Sequence, residues 1–336
     1  MKKQLIAIAV ASALTAPVAA LADVNVSATI QAEVSNFDND TVDGIRTSDA
    51  DESGGASAIA FTGSEKLDNG WTAFAKINFV FDPLANAGLG GRDSFVGLKN
   101  DAVSLSVGRM NSAYKKASVK YDPFLATSLQ ARGNGGMTGG AGLGHFNHSS
   151  YIEDVIEGQM TAGGFTATLQ YIADEIDNQN GSNVEDGSYT GSLTYAAANW
   201  EVVGATSHVE TDGDDFDSYK IGGKFWTGPL TLAVQYENAE TGVLVGADSA
   251  NNDDEAEILF GSATYALGNI TLAGWVSQYE QDDLDGISYG IGGFYNLSKR
   301  TRLHAGYRSM DIDGDVAGTE ASFQEDVVAA GIRFTL

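Results

Sequence analysis

Hydrophobic and polar residues alternate along much of the chain with a period of two. From Val24 to Val34, apolar or small residues occupy the even positions, and Asn, Ser, Thr, Gln and Glu occupy the odd positions. Successive side chains of a β-strand point to opposite faces, so this pattern predicts strands with one apolar and one polar face. The alternation recurs at residues 71–81, 165–171, 188–195, 230–237, 302–308 and 328–336. The chain is therefore predicted to be all-β, with about 16 strands of roughly 9–13 residues.

The connections between the predicted strands alternate between short and long. Short turns such as residues 67–70, 161–163 and 227–229 are separated by longer segments such as 83–90 and 239–254. A soluble antiparallel sheet and a membrane barrel both give alternating strands. Short turns on one side and long loops on the other are typical of outer-membrane barrels. The alternation of short and long connections therefore favours a transmembrane antiparallel β-barrel whose apolar face contacts lipid.

The N-terminus has the three parts of a secretory signal. Lys2 and Lys3 form a positive start, residues 5–14 form a short apolar run, and Ala20-Leu21-Ala22 is a small-x-small cleavage site. We expect residues 1–22 to be a cleaved signal peptide and residues 23–336 to form the barrel.

Charge narrows the range of partners. The 336 residues include no Cys, 45 acidic and 19 basic residues, for a formal net charge of -26. Nucleic-acid binding needs a basic surface, so a nucleic-acid partner is not expected. Acidic runs occur in several long connections, at residues 212–217, 252–257, 281–285 and 311–315.

The acidic runs have two interpretations. Clustered carboxylates are typical of a solvated surface, and they also hold hard divalent cations through oxygen ligands. Asp311, Asp313 and Asp315 are the nearest approach to a metal-binding pattern, although Val316 stands where a calcium loop has Gly. Apart from a divalent cation at these acidic runs, no cofactor is predicted. The second interpretation is that Ca²⁺ or Mg²⁺ bridges these loops to lipopolysaccharide phosphates.

The longest connection, residues 109–149, has the opposite charge. It contains Lys115, Lys116, Lys120 and Arg132 against a single acid, Asp122. Structureless inserts of roughly 40 residues are rare in compact domains and are usually functional or disordered. We expect this segment to fold into the bore of the barrel. Its lysines either point into the bore or lie on the outer surface of the loop.

Several stretches resemble the general diffusion porins of Gram-negative bacteria. They are residues 62–75, residues 91–99, residues 103–111, Asp122-Pro123-Phe124 and the closing strand at residues 331–336. The resemblance implies a homotrimer of 16-stranded barrels, each narrowed by a third loop that folds inward. The sequence departs from the family at Ala58 and Thr62, where basic residues are usual, and at Leu336, where an aromatic residue is usual.

The odd or even position of a residue in the alternating pattern, here called its parity, predicts together with the resemblance which charged side chains line the pore. Parity alone places these side chains inward: Glu33, Lys76, Lys220, Lys224, Glu237, Arg302, Arg308 and Arg333. Arg92 and Arg109 have lipid-facing parity, but the resemblance places them inside at the base of the third loop. A bulge or a strand end would reconcile the two. The predicted constriction comprises Lys76, Arg92, Arg109, Lys115, Lys116, Lys120, Asp122 and Arg132, with Asp122 opposite Arg109.

The predicted function is a passive pore for ions and small hydrophilic solutes. Its charge preference stays open, because an acidic vestibule attracts cations whereas a basic throat admits anions. One alternative is a surface receptor or adhesin with a plugged bore, although the seven glycines between Gly133 and Gly144 suit a flexible lining better. Another is a channel specific for sugars or for one anion, which would use inward aromatics such as Phe74, Trp226, Trp275 and Phe294.

An enzymatic barrel is a further alternative. His145, His148 and Ser149 lie close together in the sequence of the long connection. The chain has no Gly-x-Ser-x-Gly motif, and the His spacings do not match a metal site. No catalytic residue is predicted.

Overall fold

The computed structural model describes residues 23–39, 43–49, 56–85, 88–139, 148, 151–173, 187–210, 215–240, 255–281, 283–316 and 319–336. The predicted signal peptide, residues 1–22, lies outside these ranges. So do His145, Ser149 and parts of the acidic runs at residues 212–217, 252–257 and 281–285. Within the described ranges, no helix is both long enough and apolar enough to cross a membrane.

The described chain forms a single sheet of 17 strand segments. A short helix, α1 (Ala113–Ser118), and a 3-10 turn (Val119–Tyr121) follow the sixth strand. The strands are β1 Asp23–Asn39, β2 Asp43–Ser48, β3 Ala58–Lys66, β4 Thr72–Val80, β5 Gly90–Lys99, β6 Val103–Asn111, β7 Tyr151–Ala162, β8 Phe165–Ile172, β9 Tyr189–Ala196, β10 Trp200–Val209, β11 Phe216–Thr227, β12 Leu230–Glu240, β13 Glu255–Leu267, β14 Ile270–Gln281, β15 Leu284–Asn296, β16 Thr301–Val316 and β17 Thr319–Thr335.

The sheet closes on itself. From β3 onward each strand pairs antiparallel with the next, and β17 pairs with β1. Both β2 and β3 pair with β1, β2 along residues 33–38 and β3 along residues 23–29. The 17 segments therefore fill the positions of a 16-stranded antiparallel barrel, as the sequence predicts. Closure leaves no sheet edge, which a lipid-embedded sheet requires because lipid cannot bond free backbone groups.

The two faces of the barrel follow the alternation in the sequence. Outward apolar side chains such as Val34, Ile221 and Val328 are more than half exposed, whereas Gln31 and Glu33 are buried. A soluble protein would bury the first set and expose the second. Apolar side chains outside and polar side chains inside are the arrangement of a membrane barrel.

Candidate functional site

The site is built around residues 112–139, which follow β6 and are here called the third-loop segment. Ser112 starts α1, because its Oγ accepts the backbone N–H of Lys115 at 2.9 Å. This is an ordinary N-cap. The helix runs into the 3-10 turn and ends before Asp122, whose backbone is extended.

Asp122 holds the next part of the segment in shape. Its Oδ1 accepts the N–H of Phe124 at 2.9 Å, and its Oδ2 accepts the N–H groups of Ala131 and Arg132 at 2.8 and 3.4 Å. Burial raises the pKa of Asp122 to about 6, although these N–H groups and Arg132 act in the opposite direction. The carboxylate is bonded within its own loop and does not oppose Arg109 across the bore. This differs from the expectation, because a short carboxylate readily takes nearby backbone donors.

One face of the segment bonds to inward side chains of β8 to β14. This contact region, including the wall side chains that form it, is here called the packed side. Each bond joins a wall side chain to a backbone group of the segment, at 2.7–3.0 Å. The pairs are Gln170 with Ala113, Thr190 with Tyr114, Ser262 with Tyr121, Trp275 with Leu129, and Ser277 with Gly135. Buried backbone groups need such partners, so these bonds hold the segment against this part of the wall.

Glu237 is the centre of the packed side. Its carboxylate accepts the Tyr114 hydroxyl at 2.7 Å, and the Thr138 N–H and hydroxyl at 3.1 and 2.6 Å. His148 Nδ1 lies 3.2 Å from the same carboxylate, and Lys220 Nζ lies 2.7 Å from His148 Nε2. All five side chains are buried.

The protonation state of His148 follows from this cluster. Burial lowers the pKa of His148 to about 4; Lys220 and Arg132 act in the same direction, and Glu237 acts against them. The ring is therefore neutral at pH 7. Its Nε2 accepts from the Lys220 ammonium, and its Nδ1–H donates toward Thr138 Oγ1, 2.9 Å away, and Glu237.

A second set of wall residues binds the segment near residues 126–128. Gln31 and Arg333 both donate to the Ala126 carbonyl, at 2.7 and 2.8 Å. Glu33 accepts the Ser128 N–H at 3.0 Å. The Ser128 carbonyl in turn accepts from Arg308, and His304 Nε2 lies 2.6 Å from Glu33. The inward placement predicted by parity for Glu33, Arg308 and Arg333 is confirmed.

The inward aromatics are covered by the segment. Trp275 donates from Nε1 to the Leu129 carbonyl, and Phe294 stacks on Phe124 with ring centroids 5.4 Å apart. A Cβ at Gly290 would lie 2.3 Å from Trp275 Nε1, so only glycine leaves room for the indole there. Trp275 and Phe294 are thus part of the packing and do not form an exposed aromatic track for sugars.

The opposite face of the segment borders a strongly basic space. A cavity of about 320 Å³, here called the basic cavity, lies between α1, the 3-10 turn and the wall. Five of its described lining residues are cationic and none is a carboxylate. The cationic residues are Arg92, Lys115, Lys116, Arg132 and Arg333, and the others are Thr29, Ala56, Asn111, Val119, Leu125, Ala126 and Tyr151.

A second cavity of about 330 Å³, the mixed cavity, carries both signs of charge. Its described lining includes Arg46, Arg308, Asp49, Asp82 and Glu325. Arg308 donates to Glu325, so part of this charge is internally neutralised. Arg132 lines both cavities and marks the place where they adjoin.

Three predicted lysines form ion pairs with wall carboxylates. The pairs are Lys76 with Asp93 at 2.5 Å, Lys116 with Glu157, and Lys120 with Glu201 at 2.7 Å. Of these lysines, only Lys116 also lines the basic cavity. The structure therefore brings together Arg92, Lys115, Lys116 and Arg132 from the predicted constriction, and it places Lys76 and Lys120 outside both cavities.

A bulge turns Arg92 inward. In the pairing of β4 with β5, Ile77 lies opposite Ser94 and Phe79 lies opposite Gly91. Two residues, Arg92 and Asp93, therefore share the single inward position opposite Asn78. The inserted residue changes the parity of Arg92, which the resemblance alone had placed inward.

Arg109 differs from the expectation. Arg109 lies on the same face of β6 as Leu105 and Val107. The neighbouring bulge lies in β7. Because the extra residue is in the partner strand, the parity of Arg109 is unchanged. Its Nε lies 3.3 Å from Glu153, and its Nη1 donates to the Gly91 carbonyl. Arg109 does not line either cavity.

Comparison with known proteins identifies the family. The Gram-negative porin family model matches residues 7–315. The chain belongs to the Gram-negative porin family. This porin is a multi-pass protein of the bacterial outer membrane and a passive diffusion channel for ions and small hydrophilic solutes, as the sequence predicts.

Individual relatives agree with the family match. The major outer membrane protein P.IB of Neisseria gonorrhoeae is 26% identical over 334 residues, covering 90% of the porin and 91% of the relative. The P.IB protein of Neisseria meningitidis serogroup B is 37% identical over 120 residues, covering 34% and 35% of the two chains.

Solved structures share the fold. The anion-selective porin from Comamonas acidovorans has a TM-score of 0.76 at 19% identity, covering 94% of the porin and 100% of that chain. OmpT, an outer membrane protein of Vibrio cholerae, has a TM-score of 0.69 at 15% identity, covering 95% and 100%.

The acidic residues proposed as metal ligands lie at the end of β16. Asp311, Asp313 and Asp315 share one face of this strand, and Gln324 donates to Asp311 at 2.9 Å. Across the described ranges, no three His, Cys, Asp or Glu side chains are grouped to hold a metal ion.

Sequence reasoning missed several residues of the site. Glu157 and Glu201, which bind Lys116 and Lys120, were not singled out. Glu201 has a usable signal, since it follows the short turn before β10 and alternates with outward Val202. Tyr151, which lines the basic cavity, carries no such signal because it starts a strand immediately after the long connection.

Proposed function

We propose that solutes cross this porin between the third-loop segment and the wall formed by β1 to β6 and β17, and that the passage favours anions. In this proposal the third-loop segment lies in the bore and forms the constriction. The supporting observation is the basic cavity, whose described lining has five cations and no carboxylate. A pore selects by its width and by the charges at its narrow part.

The overall charge of -26 acts against this preference, and distance decides between the two effects. Two unit charges 4 Å apart interact by about 1 kcal/mol in bulk water and by about 4 kcal/mol near a protein surface. Exposed charges further away than about 8 Å are largely screened at physiological ionic strength. An anion inside the basic cavity touches its lining cations, of which Lys116 is paired with Glu157, whereas the carboxylates at the strand ends act across salt water.

The solved relative from Comamonas acidovorans is an anion-selective porin, in line with the proposed preference. For assembly we propose a homotrimer, as the porin resemblance implies.

We propose no catalytic role. His148 is enclosed with Thr138, Glu237 and Lys220 in the packed side, and this supports a structural use of its ring. We further propose no resident cofactor and a solvated surface at the acidic strand ends. The alternative is that Ca²⁺ or Mg²⁺ bridges these strand ends to lipopolysaccharide phosphates. If a chelator changed neither barrel stability nor lipopolysaccharide retention, this bridging would be excluded.

The main test is single-channel recording of the purified porin in a planar bilayer under a KCl gradient. We expect conductance steps in groups of three and a reversal potential of the sign set by chloride. A potassium-selective reversal potential would overturn the anion preference. A folded barrel without conductance would instead favour the plugged receptor or adhesin.

A further inference from the structure

Gln31 and Arg333 lie opposite each other at the seam where the barrel closes. They form a register pair between β1 and β17. Gln31 is fully buried, whereas Arg333 is partly exposed and lines the basic cavity. Residues that face each other across a strand pair are close enough for their side chains to interact. Arg333 Nε accordingly donates to Gln31 Oε1.

The second partner of Arg333 belongs to the third-loop segment. Arg333 Nη2 donates to the Ala126 carbonyl at 2.8 Å, and Gln31 Nε2 donates to the same carbonyl at 2.7 Å. The Ala126 backbone has a φ of 61°, which residues with a Cβ rarely adopt. Gln130 accepts the Ala126 N–H at 3.1 Å, so side chains bind both backbone groups of this residue. Surrounding bonds therefore fix a strained backbone whose carbonyl faces Arg333.

Both acceptors of Arg333 are neutral. Among the described residues, its hydrogen bonds go to an amide oxygen and to a backbone carbonyl, and no carboxylate forms an ion pair with it. Lys116, which lines the same cavity, is instead paired with Glu157. The guanidinium of Arg333 is therefore held in place by groups that do not cancel its charge.

Glu33 is the carboxylate best placed to pair with Arg333. It attracts the Arg333 charge, but its oxygens accept the Ser128 N–H and the Gln31 amide at 3.0 and 3.1 Å. His304 Nε2 also lies 2.6 Å from the Glu33 carboxylate. Glu33 is buried and does not line the basic cavity. Gln31 bonds to both Glu33 and Arg333, so a neutral amide joins the two charged groups.

We propose that Arg333 is a specificity-determining residue for anions and that Gln31 is its positioning residue. The Gln31 amide and the Ala126 carbonyl fix the guanidinium at the basic cavity and leave its charge to act on a passing anion. A carboxylate at position 31 would also hold the guanidinium, but it would cancel much of this charge. The inference rests on the proposed anion-selective function.

The first experiment compares Arg333→Gln with Arg300→Gln. The readout is the chloride-to-potassium permeability ratio, obtained from the reversal potential under a KCl gradient. We expect the ratio to fall about two- to threefold in Arg333→Gln, because a charge is lost from the lining of the passage. Arg300 is exposed in the short turn before β16 and is the matched control, since its substitution removes the same charge outside the cavity. Equal falls in the two variants would overturn the inference.

A second comparison tests the positioning role of Gln31. Gln31→Met removes the amide bonds without changing the charge of the chain. We expect the permeability ratio to fall in the otherwise wild-type chain and to change little further in a chain that already carries Arg333→Gln. The same fall in both backgrounds would show that Gln31 does not act through Arg333.

A third measurement uses one folded channel before and after modification, so it does not compare the folding of two chains. The chain has no native cysteine, so Arg333→Cys carries a single thiol. A positively charged methanethiosulfonate should return the permeability ratio toward the wild-type value, whereas a neutral one should leave it unchanged. Equal ratios after the two reagents would overturn the inference. An anion-selective wild type with unchanged Arg333 variants would refute the role of Arg333 alone, whereas a cation-selective wild type would refute the proposed function itself.

Discussion

The two sides of the third-loop segment use similar polar side chains in opposite ways. On the packed side, Glu237, His148 and Lys220 are fully enclosed and bonded to one another. On the opposite side, here called the cavity side, Arg92 and Lys115 lie near the Tyr151 ring and line the basic cavity, which has no carboxylate in its described lining. The described charged groups on the packed side bond to one another, whereas the described lining of the basic cavity carries charges of one sign.

The difference indicates that the packed side stabilises the third-loop segment and that the cavity side sets the ion selectivity. Buried charges are costly unless each one has a partner, so the packed side is stable only as a complete set. The cavity side borders an open space of about 320 Å³, where an excess of one sign creates a field. Substitutions on the packed side should therefore change stability, and substitutions on the cavity side should change selectivity.

The largest effect is expected from Glu237→Ala. This change leaves the Tyr114 hydroxyl and the Thr138 donors buried without their acceptor, and it removes the carboxylate beside His148. Breaking a buried pair of this kind costs about 3–5 kcal/mol. Urea unfolding of the refolded barrel, followed by tryptophan fluorescence, should show this loss.

The control for Glu237 is Glu280→Ala, at an exposed position of β14. Its effect on the free energy of unfolding should stay below about 0.5 kcal/mol. Equal effects of the two variants would mean that the packed side does not hold the segment.

A change of pH should have a smaller effect on the free energy of unfolding, through His148 on the packed side. The folded pKa of His148, about 4, lies below its ordinary value of 6.5, so the folded state holds fewer protons than the unfolded state between these values. The stability contributed by His148 is complete above pH 6.5 and is lost as the pH falls toward 4. The stability advantage of the wild type over His148→Gln should therefore shrink by roughly 1–3 kcal/mol between pH 7 and pH 4.

The comparison with His148→Gln is needed because Asp122 acts in the opposite sense. Its raised pKa makes the folded state take up a proton as the pH falls through about 6, which favours the folded state in acid. Both chains contain Asp122, so its contribution cancels. A constant difference between the two chains from pH 7 to pH 4 would contradict a buried neutral His148.

On the cavity side, Arg92→Glu should reduce the chloride-to-potassium permeability ratio about fivefold or more, because it changes the local charge by two units. The same formal change in Lys66→Glu, at the exposed end of β3, should leave the ratio nearly unchanged. Similar shifts in the two variants would mean that net charge governs selectivity and the basic cavity does not.

The barrel could be predicted from sequence because its faces follow a local rule. Alternation in residues such as Val24 to Val34 specifies which side chains meet lipid, and the alternating short and long connections specify the topology. The division between β2 and β3 could not be predicted, since it depends on both segments pairing with the same strand, β1.

The site could be predicted only in part. The basic character of residues 109–149 was visible in the sequence, and the resemblance, against strand parity, placed Arg92 inward. The bonding of Asp122 was not, because its three N–H donors come from Phe124 and from positions nine and ten residues away. Nor was the approach of Arg92, Arg109 and Lys115 to the Tyr151 ring, because these cations come from three other elements.

The most direct test of the account is thiol modification of Thr29→Cys during single-channel recording. The chain has no native cysteine, so a single introduced thiol is the only target. Thr29 lines the basic cavity, whereas Thr190, the control position, is buried on the packed side. We predict that a negatively charged methanethiosulfonate reduces the conductance of Thr29→Cys, reacts faster than a positively charged one, and leaves Thr190→Cys unchanged. Block through Thr190→Cys, or faster reaction of the cationic reagent at Thr29→Cys, would contradict an anion-selective passage through the basic cavity.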